Sequence, residues 1–380
     1  MIRTEYSEDS ALTGISTEQT RKNMMKNHLL KKIISLPIAF ILIIALTFGS
    51  FAATPATNVQ STSNGIAAPQ ISAPAGIVID MRSGAILYAK DADTAYYPAS
   101  ITKVMTALLV MENCNLDDMV TFSKTATTNL ESGAVTINLT EGDKLTVRQC
   151  MYALLLKSAN EVANGLAEHV AGSIPAFAEM MNARAKQLGC TTTHFANPNG
   201  LNDPNHYTTA HDMALIARAA FSNETIRKID TTESYSIPAT KKNPNGVKVV
   251  RSNKIFNPST ECYYKYAIAS KTGYTSRAGS TLVTAAEKDG SSLVTVILKS
   301  TKYLGQYEDT KTLMEYGFNF LKTSQSLISS GGPGTGASAA QNAAGVTNAN
   351  GPGSAGDSSA GAPSAVSETA VLIGPGGQQN

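Results

Sequence analysis

The stretch YKYAIASKTGYTSRAGSTLVTAAEKDGSSLVTVILKS, residues 264–300, decides the fold of this chain. It contains two apolar runs, Thr281 to Ala286 and Leu293 to Leu298, which are separated by Asp289-Gly290, a strong signal for a β-hairpin. Strand-forming residues also cover Lys265 to Tyr274. Because strands joined by hairpins pair antiparallel, this stretch predicts three neighbouring antiparallel strands.

The rest of the chain extends this pattern into an α+β fold. Strand-like segments occur again near the start, over Gly76 to Met81 and Ala85 to Ala89, whereas helical patterns dominate Thr102 to Phe221. Apolar residues at helical spacing over Tyr307 to Leu321 predict a closing helix. We expect both sets of strands to share one antiparallel sheet, flanked by the terminal helices, with a helical lobe beside it and a cleft between the two.

The first candidate site motif is Ser100-Ile-Thr-Lys103, which follows Pro98 and opens the apolar run up to Met111. Proline suits the first turn of a helix, so Ser100 is predicted there, with Lys103 three residues on and over the same face. A serine hydroxyl becomes a nucleophile when a neighbouring base takes its proton. A lysine is such a base when burial or a second cation, here Lys271, lowers its pKa. The alternative is a helix cap beside a solvent-facing lysine.

The second motif, Ser158-Ala-Asn160, falls where two predicted helices meet. Serine and asparagine are common helix caps, which is the structural alternative. The functional interpretation is a hydroxyl that relays a proton to a leaving amine, beside an amide that orients Lys103 and the substrate carbonyl.

The third motif, Lys271-Thr-Gly273, lies on a predicted strand beside the hairpin. Lys271 and Thr272, with help from Thr275, are candidates to hold a substrate carboxylate. Gly273 has no side chain and would allow a substrate backbone to lie against this edge. The alternative is a charged edge residue that blocks aggregation. The three motifs, each in a fitting local context and in this order, are typical of penicillin-recognising serine acyl-enzymes.

On these motifs, the chain resembles the D-alanyl-D-alanine carboxypeptidases, the low-molecular-mass penicillin-binding proteins, over roughly Ala75 to Lys322. The segments YYPASITKVMTALLV, HFANPNGLNDPNHYTTAHDMALIARAAF and KTGYTSRAG carry much of the resemblance. It implies a β-lactamase/transpeptidase-like fold, removal of the terminal D-alanine from peptidoglycan stem pentapeptides, and covalent binding of β-lactams without a cofactor.

The resemblance also implies a role for each motif residue. Ser100 would be the acylated nucleophile and Lys103 its base, while Ser158 and Asn160 would assist proton transfer and positioning. Lys271, Thr272 and Gly273 would bind the terminal carboxylate, and the backbone N–H groups of Ser100 and Tyr274 would form the oxyanion hole. Two positions depart from the family pattern: Tyr274 replaces a frequent histidine, and Ala269-Ser270 replaces a frequent Asp-Gly.

Two other functions remain open from the sequence. A serine β-lactamase shares the motifs but needs a dedicated deacylation base, and Glu161 and Glu168 are interpreted as solvated surface charges on helices. A non-catalytic cell-wall binding protein on the same fold is the second alternative, although it would not need to keep Lys103.

Composition divides the chain into four segments. An apolar run, Ile33 to Phe48, follows several Lys and Arg residues, so 1–53 is predicted to be a signal peptide or an N-terminal membrane anchor. Residues 54–74 are predicted to form a linker, 75–325 the catalytic domain, and 326–380 a disordered Gly/Ala/Ser-rich tail. Whether residues 1–53 are cleaved as a signal peptide or kept as an anchor, the catalytic domain is expected to act outside the cytoplasm. Contact with the membrane is expected only if this N-terminal segment is retained.

Charge and spacing argue against other partners. The net charge is +2, and no basic cluster is interleaved with aromatic residues, so nucleic-acid binding is not expected. No metal is expected, because His194, His206 and His211 lack a metal-binding spacing, and His206 is interpreted as a loop residue near the rim of the site. The four cysteines could pair in three ways, although Cys150 is predicted to be a buried free thiol.

Overall fold

A central antiparallel sheet joins the beginning and the end of the folded chain. The computed structural model describes residues 66–128 and 130–329. Its strands are β1 (Ala75–Asp80), β2 (Ile86–Lys90), β3 (Met119–Thr121), β4 (Lys144–Thr146), β5 (Ser234–Ile237), β6 (Val247–Val250), β7 (Ala267–Thr275), β8 (Gly279–Lys288) and β9 (Ser291–Ser300). The main sheet has the order β2-β1-β9-β8-β7, so β7 forms one of its edges.

Helices are the principal elements between the two sets of strands. They are α1 (Lys103–Asn113), α2 (Lys124–Thr128), α3 (Val147–Tyr152), α4 (Asn160–Ala171), α5 (Ile174–Gln187), α6 (Ala210–Phe221) and α7 (Glu224–Thr231), and the last one, α8 (Gly305–Ser329), follows the sheet. Two small two-stranded antiparallel sheets, β3–β4 and β5–β6, border this helical lobe.

The sheet is covered on both faces, as the alternation of its side chains requires. Successive residues of a strand point to opposite faces. Ile77 and Ile79 of β1 therefore belong to the core shared with the helical lobe, whereas Val78 packs in a second core with Leu313 and Met314 of α8. Strands with both faces buried need almost continuous apolar sequence, which explains the composition of β8 and β9.

The predicted α+β architecture is confirmed, including the sharing of one sheet by both sets of strands. Strand bounds differ from the predicted ones by one or two residues at most ends, as strand ends depend on pairing partners. The predicted closing helix is longer than expected and runs on to Ser329. The pairs β3–β4 and β5–β6 were not predicted, because strands of three or four residues are too short for a clear alternating pattern.

The predicted segments at the two ends fall largely outside the described residues. This applies to the leader, to the linker before Ile66 and to the tail beyond Ser329. Within the predicted linker, Ile71 and Ala73 are buried against the sheet, so packing begins before Ala75. Across the described part of the chain, we find no helix with the length and apolar character needed to cross a bilayer.

Candidate active site

The candidate nucleophile lies in a 3₁₀ turn that leads into α1. This turn covers Ala99–Thr102, and α1 begins at Lys103, which agrees with the predicted position of Ser100 at the start of a helix. Ala99 has a positive φ of 52°, a conformation that costs energy for a residue other than glycine. The strained residue therefore precedes the candidate nucleophile directly, and Ser100 itself remains partly exposed.

Lys103 is fully buried and donates hydrogen bonds to three acceptors. Its Nζ lies 3.0 Å from Ser100 Oγ, 2.8 Å from Asn160 Oδ1 and 2.6 Å from the Asn199 carbonyl oxygen. Burial, together with the charge of Lys271, lowers the pKa of Lys103 well below its usual value, while Glu161 opposes the shift. A buried lysine with a lowered pKa meets the requirement for the general base that the first motif predicts, and the solvent-facing alternative for Lys103 is wrong.

The loop 196–202 contributes a backbone acceptor to the pocket around Lys103. Gly200 within it has a φ of +86°, and a Cβ there would lie 1.9 Å from the Ala99 carbonyl oxygen. Thr106 Oγ1 donates to the Pro198 carbonyl at 2.6 Å, which ties the loop to α1. The loop thus presents the backbone carbonyl of Asn199 to Lys103, a contact that no residue pattern in the sequence identified.

His206 is buried behind the nucleophile turn, so its interpretation as a rim or surface residue is wrong. Its Nδ1 accepts from the Ala196 N–H at 3.0 Å, which leaves Nε2 to donate to Thr102 Oγ1 at 2.8 Å. Burial lowers the pKa of His206 to about 3, so the ring is neutral. The neutral imidazole connects the 196–202 loop to the turn that carries Ser100.

Ser158 and Asn160 stand where a widened helical turn gives way to α4. A π-helical turn over Ala153–Lys157 ends at Ser158, whose φ of 65° is left-handed, and α4 starts at Asn160 as predicted. The helix-cap alternative does not apply, because the N-cap is Ala159 and no side chain caps it. Asn160 Nδ2 donates to the Val135 carbonyl at 2.9 Å, which turns its Oδ1 toward Lys103. The Ser158 hydroxyl is buried and has no hydrogen-bond partner among the described residues.

Glu161 is buried, which corrects its interpretation as a solvated surface charge. Its Oε1 accepts from the Ile137 N–H at 2.6 Å, and Leu139 N lies 3.5 Å away. Burial raises the pKa of Glu161, while those amides and the charge of Lys103 oppose the rise. Glu168, the second glutamate, is partly exposed and accepts from Ser123 Oγ at 2.9 Å.

Lys271 is buried on the edge strand β7, so the alternative of an exposed, aggregation-blocking lysine is wrong. Its Nζ donates to the Thr272 carbonyl at 2.7 Å. Burial lowers the pKa of Lys271 to about 8, and Asp230 acts in the opposite direction. Asp230, at the end of α7, accepts from the Ser270 N–H at 2.5 Å, and its own pKa is raised to about 7 by burial. Asp230 was not singled out in the sequence, since α7 is far from β7 along the chain.

Gly273 brings β7 against the nucleophile turn. A Cβ on it would lie 2.4 Å from Thr281 Oγ1 and 2.8 Å from Ser100 N. Only glycine therefore allows this approach. The sequence suggested that the missing side chain leaves room for a substrate backbone at the strand edge. In the structure, the missing side chain also lets β7 lie close to the turn that carries Ser100. Next along the strand, Tyr274 is 72% exposed, and Thr275 Oγ1 accepts from the Ala278 N–H at 3.0 Å.

The three motifs therefore converge. Ser100, Lys103 and Asn160 are joined by hydrogen bonds, and Gly273 touches the Ser100 turn. Ser158 adjoins this group with a free buried hydroxyl. All four cysteines lie in the described region as free thiols, and Cys150 is buried as predicted.

Comparison with known proteins finds relatives that match this chain over most of its described residues. The profile of the D-alanyl-D-alanine carboxypeptidase family matches residues 62–302. Among curated proteins, the D-alanyl-D-alanine carboxypeptidase DacA of Haemophilus influenzae is 33% identical over 69% of this chain and 66% of its own length. The D-alanyl-D-alanine carboxypeptidase of Streptomyces sp. strain K15 is 33% identical over 72% of this chain and 94% of its own.

Solved structures agree with these relationships. The Streptomyces K15 DD-transpeptidase superposes with a TM-score of 0.61 at 32% identity, over 67% of this chain and all of that chain. A D-alanyl-D-alanine carboxypeptidase from Mycobacterium tuberculosis gives a TM-score of 0.60 at 32% identity, over 67% of this chain and 94% of its own. The match to the Haemophilus protein spans only about two thirds of that relative's length.

Proposed function

Because this chain belongs to the D-alanyl-D-alanine carboxypeptidase family, we propose that it removes the terminal D-alanine from peptidoglycan stem pentapeptides through an acyl-enzyme on Ser100. The observation that carries the proposal is the buried hydrogen bond from Lys103 Nζ to Ser100 Oγ, 3.0 Å long. A buried lysine with a lowered pKa is costly to maintain, and it is useful where a hydroxyl must lose a proton.

In the acylation step, neutral Lys103 takes the proton of Ser100 while Oγ attacks the carbonyl carbon between the two D-alanines. A tetrahedral oxyanion forms, and the C–N bond then breaks. The leaving amine receives a proton from the Lys103 ammonium, and the unpartnered hydroxyl of Ser158 is suited to relay it. The products are free D-alanine and an ester on Ser100.

Substrate binding falls to β7. We assign the terminal carboxylate to Lys271 and Thr272, with Thr275 at the end of the strand, because Lys271 is a buried cation on the sheet edge beside Ser100. The oxyanion would accept hydrogen bonds from the backbone N–H groups of Ser100 and Tyr274. The short approach of Gly273 to Ser100 N supports this assignment, since it brings β7, on which Tyr274 is the next residue, close to the Ser100 amide.

Hydrolysis of the ester by water would complete the cycle with Lys103 as the base again. A β-lactam would acylate Ser100 by the same route, but its ring-opened amine stays attached and the acyl-enzyme should persist. We infer that the protein binds penicillin covalently and that it acts outside the cytoplasm, where peptidoglycan lies. Residues 1–53 would then serve either as a cleaved signal peptide or as a retained anchor.

A second candidate reaction is transpeptidation, in which an amine replaces water as the acceptor of the acyl group. It is favoured by one observation, the likeness to the whole chain of the Streptomyces K15 DD-transpeptidase. Both reactions share the acylation step and differ only in what attacks the ester.

The first test is the release of D-alanine from a purified pentapeptide muropeptide by the full chain. We expect release by the parent and by Ser259→Ala, an exposed serine remote from the motifs, and none by Ser100→Ala. A second product that carries an added amine acceptor would identify transpeptidation. Release by Ser100→Ala would refute the proposed nucleophile, and rapid turnover of a β-lactam without D-alanine release would favour the β-lactamase alternative. Cell-wall function that survives Ser100→Ala would favour the non-catalytic binding protein.

A further inference from the structure

Three metal-ligating side chains meet on the helical lobe, away from the candidate active site. Cys114, Asp118 and His169 each direct a possible ligand atom to one place, and all of these atoms lie within 4.8 Å of one another. Cys114 and Asp118 are partly buried and His169 is exposed, so the place is open to solvent on one side. Cys114 is a free thiol.

Each of the three residues lies at or next to the end of a helix or a strand. Cys114 is the C-cap of α1, and its backbone N–H donates to the Val110 carbonyl at 3.0 Å. His169 lies in the last turn of α4. Asp118 precedes β3, and its Oδ2 accepts from the Asn115 N–H at 2.7 Å, which orients the carboxylate. A carboxylate has two oxygens, so Asp118 can keep this bond and bind a cation.

The chemistry of this donor set favours zinc. A thiolate, an imidazole and a carboxylate are the ligand types of zinc sites, whereas calcium and magnesium prefer oxygen ligands alone. Zinc bonds of about 2.0–2.3 Å require tetrahedral ligand atoms to lie roughly 3.5 Å apart. The exposed side chain of His169 can rotate to close the remaining gap. Both α1 and α4 also end here, and the negative ends of two helix dipoles attract a cation.

We propose that Cys114, Asp118 and His169 form a binding site for a Zn²⁺ ion, with a water molecule in the fourth position. The proposal departs from the expectation of no metal, which considered only His194, His206 and His211. Cys114 and His169 are far apart in sequence, and only the packing of α1 on α4 brings them together.

The proposed ion would act as a structural clamp. Lys103 begins α1 and Asn160 begins α4, so both helices run from the candidate active site to the proposed metal site. At about 1.5 Å per residue, the two sites are roughly 15 Å apart, too far for the ion to contact substrate. A clamp at these ends would fix the angle between the two helices whose first residues, Lys103 and Asn160, bond to each other.

The test is Zn²⁺ binding to the untagged full chain, measured by competition with a chromophoric chelator. We expect one equivalent to bind, a rise in Tm on binding, and a thiolate charge-transfer band when Co²⁺ replaces Zn²⁺. Cys114→Ser and His169→Ala should each weaken the affinity by about tenfold or more and abolish the rise in Tm, and Cys114→Ser should also remove the Co²⁺ band. Cys190→Ser and His211→Ala, a thiol and an imidazole elsewhere in the helical lobe, should change none of these.

Two outcomes would overturn the proposal. One is the absence of stoichiometric binding by a parent protein that unfolds cooperatively on heating and is therefore folded. The other is binding that Cys114→Ser and His169→Ala leave unchanged, which would indicate an ion held elsewhere. Neither outcome depends on D-alanine release, so the zinc proposal and the proposed peptidase activity fail independently.

Discussion

At the scale of single residues, the candidate site depends on buried groups that are not themselves in the three motifs. Near Ser100 and Lys103, a ring nitrogen of His206 accepts one backbone N–H hydrogen bond, and a carboxylate oxygen of Glu161 accepts another. The removal of such a group leaves a buried donor without an acceptor, which typically costs about 1–3 kcal/mol. The geometry around Lys103 is therefore held in part by groups with no chemical role.

His206 should make the stability of the protein fall in mild acid. Its pKa is about 3 in the folded chain and near 6.5 when unfolded, so the unfolded chain binds more protons between these values. The contribution of His206 is thus complete above pH 6.5 and is lost as the pH falls toward 3, by up to about 1.4 kcal/mol per pH unit. Asp230, whose pKa is raised, contributes the opposite slope.

Comparing the parent with His206→Gln separates the contribution of His206 to the pH dependence of stability from the contribution of Asp230. Urea unfolding across the acid range should show the advantage of the parent over the variant shrinking as the pH falls. Parallel pH curves for the parent and His206→Gln would contradict the prediction.

At the scale of elements, α7 and the 3₁₀ turn set the position of β7. Asp230 at the end of α7 accepts from the Ser270 N–H, and Gly273 contacts the turn of Ser100. The edge strand is therefore held from both sides, which matters because an edge strand has only one hydrogen-bonded neighbour in the sheet.

Asp230→Asn should weaken carboxylate binding at alkaline pH. The charge of Asp230 raises the pKa of Lys271, which is about 8, so its removal lets Lys271 lose its proton at a lower pH. We expect the alkaline limb of kcat/KM for the pentapeptide to move to lower pH, with a larger effect on KM than on kcat. The matched control is Glu224→Gln, at the exposed start of the same helix. An unmoved alkaline limb in Asp230→Asn would refute the role given to Asp230.

Gly273→Ala should slow acylation of Ser100 through geometry alone. The added Cβ would lie 2.8 Å from Ser100 N, so β7 must move away from the nucleophile turn. A misplacement of about 1 Å typically costs about 10²-fold in rate. Gly290→Ala is the contrasting control. Its added Cβ would meet nothing within 4 Å, but Gly290 has a positive φ that strains an alanine, so this variant should lose stability and keep its acylation rate. Equal penicillin acylation rates for Gly273→Ala and the parent would contradict this account.

At the scale of the whole molecule, the beginning and the end of the described chain are bound to each other. Asp309 on α8 is buried and accepts from Ser72 N, Ser72 Oγ and Ala73 N at 2.8–2.9 Å. Lys90 Nζ donates to the carbonyls of Ile71 and Ala73 from the neighbouring strand β2. The segment before β1 is thereby fixed to the sheet and to the last helix.

Asp309→Ala should destabilise the whole domain without affecting the site. The loss of three bonds to a charged acceptor should reduce the free energy of unfolding by about 3 kcal/mol, measured in urea. The rate of penicillin acylation per folded molecule should stay the same, since Asp309 lies across the sheet from the helical lobe. Glu308→Ala, the neighbour that forms only a surface ion pair with Lys302, should change the stability little. A small effect of Asp309→Ala would mean that water replaces these bonds.

Local patterns were sufficient to predict the five strands of the main sheet, the helical middle of the chain, the closing helix and the seven motif residues. Hairpin signals, apolar periodicity and a proline before Ser100 act over a few residues and survive in any context. The sequence also determined that Ser100, Lys103 and Asn160 belong together, through their order and through the resemblance to a known family.

Contacts between residues that are distant in the chain could be found only from the packed molecule. The Asn199 carbonyl at Lys103, the burial of His206 and Glu161, the support of β7 by Asp230 and the meeting of Cys114 with His169 all arise where separate elements pack. Burial is a property of the packed molecule, and it is burial that lowers the pKa values of Lys103, His206 and Lys271. The residue types were therefore readable from the sequence, whereas their protonation states depended on the fold around them.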